Sequence, residues 1–200
     1  MTPYSQIRPA MRTGDVIAFS GKSRVSQIIK WKTGSPYSHV GIVLDNNISG
    51  GFGHSVLLME STTLNNLPDS KSGELIKGVQ MHFLSRRIET YNGEICWFGL
   101  QEKLTEAEAF AMQSWLREVH SKRVRYDALQ AIGAGADLLD WIPGIENDED
   151  FASLFCSELV GRALQIAGRV CPSLNSSEMT PADIIGQGCF SEMIQIEKEV

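Results

Sequence analysis

The stretch "SPYSHVGIVL", residues 35–44, is followed eleven residues later by "SVLLMEST", residues 55–62. Both runs are rich in Val, Ile, Leu and Met, and "NNISGGFGH" (46–54) between them carries the Asn and Gly of a connecting loop. This pattern predicts a β-hairpin. If the two strands pair antiparallel around a loop centred near residue 50, opposed residue numbers add to about 100 and His39 faces the neighbourhood of Glu60 and Ser61. A carboxylate there can accept an imidazole N–H and orient the ring, the role of the third group in a Cys-His-acid arrangement. Without His39 opposite it, Glu60 would read as a solvent-facing strand residue. His54 would instead face Asp45, at the wrong end of the pair.

Outward from the hairpin, "GDVIAFSG" (14–21), "GVQMHFL" (78–84) and "EICWFGL" (94–100) predict further short strands. "VSQIIKWKTG" (25–34) places Val25, Ile28, Ile29 and Trp31 at roughly helical spacing and closes on Gly34. The second half turns helical. Thr105 and Glu108 form a capping box, and Met112, Trp115, Leu116 and Val119 share one face of a helix running to about His120. "RYDALQAIGAGADLLDWI" (125–142) is a glycine-interrupted helical region, "NDEDFAS" (147–153) an acidic loop, and "FCSELVGRALQIAG" (155–168) an amphipathic helix stopped by Gly168. Thr180 and Pro181 open a last short turn. Strands first and helices after give an α+β fold in one domain, 1–200, with its core at about 12–185. The polar segment "TTLNNLPDSKSGELIKG" (62–78) is expected to border a groove and set specificity.

Composition excludes several functions. With 200 residues, 42% hydrophobic and 21% charged, the chain can bury a core without disulfide or metal staples. A net charge of −6 argues against a nucleic-acid surface, which needs a basic excess to displace counterions. The opening "MTPYSQIRPAMRTGD" lacks a basic segment followed by an apolar run, so a cytoplasmic protein is expected. The longest apolar stretch, from Ala128, is broken by Gln130, Asp137 and Asp140, so no integral membrane span is expected. "FSGKS" (19–23) lacks the upstream glycine of a phosphate loop, and "GAGAD" (133–137) is only a fragment of a dinucleotide fingerprint.

Chemistry concentrates on one of the four cysteines. Cys96, Cys171 and Cys189 read as structural, and no spacing among the four is of a metal type. Cys156 is predicted to sit where the acidic loop gives way to a helix, beside unpaired backbone N–H groups that favour the thiolate. Alone it reads rather as a core cysteine, since cysteine is among the most buried residue types, and a partner is needed to change that. His39, at the mouth of a strand, is the histidine placed to serve it as a general base. His82, inside a strand, and His120, near an exposed helix end, read as structural.

Taken in order, "GDVIAF", "SPYSHVGIVL", "MEST", "YDAL" and "FCSELVGRAL" resemble the circularly permuted branch of the NlpC-type papain-like enzymes, a group that includes YiiX-like proteins and, more distantly, the lecithin-retinol acyltransferase relatives. In that branch the histidine strand precedes the cysteine helix, as here. The resemblance implies an antiparallel sheet packed on helices, with the nucleophile, Cys156, at a helix N-terminus, His39 as base and Glu60 as the polar third residue. It places Tyr37 and Tyr126 where they could line the groove, and it implies no metal and no organic cofactor.

The expected activity is therefore that of a thiol hydrolase of the cysteine peptidase or amidase kind, cleaving an amide bond through an acyl-thioester. Its substrate would be a peptide, a peptidoglycan-derived fragment or an acyl lipid. The rivals are a lipid acyltransferase or deacylase using the same triad, a catalytically idle module that holds its ligand in the groove, and, more weakly, a metal site through His39 and Cys156.

Overall fold

The computed structural model describes residues 1–45, 55–122 and 148–199. The expected hairpin loop, the region 125–142 and Tyr126 lie outside these residues. Among them, seven strands form one sheet: β1 (Thr2–Pro3), β2 (Val16–Gly21), β3 (His39–Asp45), β4 (Leu57–Thr62), β5 (Gly78–Phe83), β6 (Gly93–Phe98) and β7 (Ile194–Glu197). Their order is β1-β7-β6-β2-β3-β4-β5. All pairings are antiparallel except β1 with β7, so the expected all-antiparallel sheet gains one parallel pair at its edge. The helices are α1 (Tyr4–Ile7), α2 (Arg24–Thr33), α3 (Leu84–Thr90), α4 (Glu106–Ser121), α5 (Asp148–Ile166) and α6 (Pro181–Ile185).

Period-2 alternation divides the sheet residues between two cores. Val16, Ala18, Val40, Ile42, Met59, Met81, Cys96 and Phe98 face one way and pack with Met112, Leu116, Leu159, Val160, Ala163 and Leu164 of α4 and α5. Ile17, Phe19, Val43, Leu58, Ile95 and Trp97 face the other way and pack with Leu84, Ile88 and Tyr91, on and just beyond α3. The sheet is thus the middle of three layers.

Local chemistry sets the helix ends. Ser23 caps α2 by accepting from Ser26 N, and Gly34, at φ 61°, ends it in the left-handed conformation that glycine adopts without a Cβ clash. The capping box of Thr105 and Glu108 opens α4 as expected. Two expectations are corrected. The run 148–153 is helix rather than loop: α5 begins at Asp148, eight residues before Cys156, so the thiol belongs to the helix interior and not to its N-terminus. His120 is buried, not exposed, because its Nε2 lies 2.8 Å from Asp69 Oδ2 in the 62–78 segment.

Asp15 ties three strands together at one end of the sheet. Its carboxylate, wholly buried, accepts from Arg12 N at 2.8 Å, Trp97 Nε1 at 2.9 Å and Leu100 N at 2.9 Å, while its carbonyl accepts from Val43 N. Burial pushes its pKa up, and the three donors partly offset this. Asp15→Ala leaves three donors without their acceptor and is expected to cost about 2–4 kcal/mol in guanidinium unfolding, with Asp15→Asn costing less because one acceptor oxygen remains. A loss under about 1 kcal/mol for the alanine variant would show that this knot does not hold the strands.

Candidate active site

His39 is the first residue of β3, and Glu60 lies inside β4. The observed register places Glu60 opposite Gly41, one step from the expected alignment, so His39 meets it diagonally on the same face of the sheet. His39 Nε2 and Glu60 Oε2 are 2.6 Å apart. Both residues are buried, Glu60 completely.

A buried carboxylate needs a cation, and here it is Arg87 of α3, a residue the sequence reading missed. Arg87 NH2 donates to Glu60 Oε2 at 3.2 Å, and Nε lies 2.8 Å from Oε1. The guanidinium sits 5.5 Å from the Phe19 ring centroid and 5.4 Å from that of Tyr91, so aromatic faces cover the charge as well. The signal was present in the sequence. Leu84, Arg87, Ile88 and Tyr91 follow the i, i+3, i+4, i+7 spacing of a buried stripe, in which an arginine demands a buried acid.

His82 completes the surround, its Nε2 3.8 Å from Glu60 Oε1. Gln80 turns its amide nitrogen to the carbonyls of Thr62, Leu64 and Ile76, which leaves its oxygen to accept from His82 Nε2 at 2.9 Å. Burial foremost lowers the His82 pKa. His82 is thereby shifted toward its neutral form, while Arg87 supplies the main positive charge. Glu60 responds accordingly: burial opposes its charge, but Arg87, the His39 hydrogen bond and His39's charge outweigh that and bring its pKa down to about 2.

Cys156 comes from α5, on the opposite layer. Its side chain hydrogen-bonds His39, and its Sγ lies 3.9 Å from Ser157 Oγ. With Nε2 engaged by Glu60, the sulfur's partner on His39 is Nδ1. Burial would lower the His39 pKa, but the charge and hydrogen bond of Cys156, and then those of Glu60, raise it to about 9. Cys156, His39 and Glu60 thus form a line with the imidazole in the middle. No group of three or more His, Cys, Asp or Glu side chains that could hold a metal ion occurs among the described residues.

A cleft of about 340 Å³ opens at His39. Lys22, Ser23, Ser26 and Ile29 form one wall, Thr62, Thr63, Leu64 and Asn66 another, and Ser38 and Tyr91 lie beside the histidine. The 62–78 segment therefore does border the groove. Tyr91's hydroxyl bonds Ser38, and its pKa is pushed up to about 12, by burial first. Tyr37 is not among the lining residues. Its ring packs edge-on against Phe98 at 5.6 Å and its hydroxyl bonds Cys96. Cys156 itself is wholly buried and does not line the cleft.

Compared with known proteins, the chain matches no family model and no curated sequence. Its fold is similar to the crystal structure of metalloprotein yiiX from Escherichia coli O157:H7, DUF1105, with a TM-score of 0.54 at 15% identity, covering 94% of this chain and 98% of that one. The likeness is one of architecture: a mixed α+β fold around a single seven-stranded sheet. Among the described residues no helix is long and apolar enough to cross a membrane.

Removing one member of the Glu60–Arg87 pair strands the other in the core. Arg87→Met is expected to cost about 3–5 kcal/mol, and Arg87→Met with Glu60→Gln distinctly less than the two single changes together. Because the Glu60 pKa is lowered on folding, its contribution is present above its ordinary value near 4.5 and fades as pH falls toward 2. The stability gap between wild type and Glu60→Gln should shrink across that window. Additive costs, or a gap independent of pH, would refute the pairing.

Proposed function

We propose that this chain is a cysteine hydrolase of the permuted papain-like, NlpC-type kind, acting on an amide bond. The observation that carries the reading is His39 held between a thiol and a buried carboxylate, hydrogen-bonded to both. Glu60 accepts the Nε2 proton and fixes the ring, so Nδ1 faces Cys156, and the His39 pKa, raised to about 9, favours the imidazolium that forms there. His39 takes the Sγ proton, and the thiolate attacks the substrate carbonyl. The tetrahedral intermediate then collapses to an acyl-thioester as the amine leaves with the proton from His39. Water, deprotonated by the same imidazole, releases the acid and restores the thiol. The Tyr91 hydroxyl, kept protonated and held by Ser38, is a donor available to the carbonyl oxygen.

The cleft lining offers an amide substrate both hydrogen-bonding groups and apolar contact. Ser, Thr, Asn and Lys side chains dominate it, and Ile29 and Leu64 are its aliphatic members among the described residues. Such walls can pair the alternating donors and acceptors of a peptide, including a peptidoglycan-derived one. A second reading, a binding module using the same cleft, draws on the complete burial of Cys156. Attack by Sγ requires the covering side chains to part, and alkylation measures that directly.

With iodoacetamide at pH 6, Cys156 is expected to label ahead of Cys96, Cys171 and Cys189 in peptide mass spectrometry, and His39→Ala to slow its labelling by about tenfold or more. Labelling of Cys156 no faster than that of Cys96 would sink the hydrolase reading. A substrate screen of muropeptides against acyl lipids then separates amide from ester chemistry, and turnover of neither, with ligand still bound in the cleft, would favour the binding module.

A further inference from the structure

Helix α2 has two unlike faces. Successive residues of an α-helix turn by about 100°. Ser26 and Ile29 line the cleft. On the far side of the helix, Trp31 is 81% exposed and Ile28 51% exposed. Tryptophan is on average a highly buried residue, so one this exposed beside an exposed isoleucine is unusual for a surface with no partner. Arg24 and Lys32, both exposed, share that outer side, and Lys22 stands at the helix's N-terminal end. Lys30 is turned inward and donates to Ser20 Oγ and the Gly21 carbonyl.

Charge decides what could cover this face. From Val16 to Leu44 the sequence contains no Asp or Glu, although the whole chain carries a net charge of −6. The acidic residue that strand register brings nearest is Glu94, opposite Ser20 on β6. In a two-fold dimer formed through this face, Arg24 and Lys32 would meet the same basic side chains of the second copy, which repel. A surface that is both anionic and able to take up an indole and a sec-butyl group fits better, and those are the properties of a lipid headgroup layer.

We propose that the outer face of α2 docks on an anionic lipid bilayer, with Trp31 and Ile28 entering the interfacial layer and Arg24 and Lys32 meeting lipid phosphates. The cleft then lies one helix diameter behind the membrane surface, with α2 as its wall. The proposal stands on α2 alone and is independent of the hydrolase reading.

The full chain is sedimented with vesicles of phosphatidylcholine alone and of phosphatidylcholine mixed with phosphatidylglycerol, at low and high salt. Binding is expected to the mixed vesicles only and to weaken with salt. Tryptophan emission should shift to the blue on binding, and this shift should be absent in Trp31→Phe. Arg24→Glu with Lys32→Glu is expected to weaken binding by about tenfold or more. These side chains are exposed, so the variants should keep the wild-type melting temperature. No binding at low salt, equal binding by Ile28→Ser with Trp31→Ser, or self-association through Trp31 in velocity sedimentation would each overturn the proposal.

Discussion

The carboxylate of Glu60 is the constraint around which the site is arranged. It is fully buried between two strands, where an unpaired charge would cost several kcal/mol. Arg87 answers it from α3, His39 from the neighbouring strand, and Phe19 and Tyr91 cover the guanidinium. Each of these residues is held by the second core, so the position of α3 on the sheet is fixed by charge as well as by apolar packing. The same carboxylate then sets the state of the imidazole. By holding one ring nitrogen it decides which nitrogen is left for the sulfur, and its charge adds to that of Cys156 in raising the histidine's basicity.

The two faces of the sheet divide the work. Glu60 and Arg87 lie with the second core, while Cys156 arrives on α5 with the first. His39 can serve both because it starts its strand, where its ring stands 5.3 Å from that of Phe19 on one neighbouring strand, meets Glu60 on the other and still reaches Cys156. A histidine two residues further along, at the place of Gly41, would lie directly opposite Glu60, and a Cβ there would stand 3.0 Å from Leu58 Cδ1 and 3.2 Å from the Met59 carbonyl. Position 39 is therefore where a side chain can reach across the layers without disturbing the pairing of β3 and β4.

What the sequence made legible follows from how local each signal is. The strands around His39 and Glu60, the glycine stop after α2 and the capping box of α4 depend on residues a few positions apart, and they appear where expected. Hairpin arithmetic erred by one residue, which still left His39 and Glu60 neighbours because diagonal pairs across a sheet also touch. The acidic run before Cys156 was misjudged because Asp and Glu suit both loops and first helical turns, and only the helix that follows decides between them. His120 and Asp69 lie 51 residues apart, and nothing local announces that they pair. The Ile194 and Ile196 alternation of β7 was readable, but a four-residue strand carries too few repeats to stand out.

Arg87 marks the boundary between what was missed and what was unreadable. An arginine on a buried helical stripe is a demand for a partner, and the sequence offers few acids in β-rich apolar runs to meet it. Glu60, flanked by "LLM" and "ST", is one such acid, so the charge pair and the histidine-acid pair could have been inferred together from two independent patterns converging on one carboxylate. The link to Cys156 is of another kind. It spans 117 residues and depends on how α5 lies across β3 and β4, which the packing of Leu159, Val160, Ala163 and Leu164 against Val40, Ile42 and Met59 determines. The half of the site made by strand register can thus form with the sheet, whereas the half made by the thiol requires the layers to be docked. A thiol and imidazole in contact report on the packing of the whole fold.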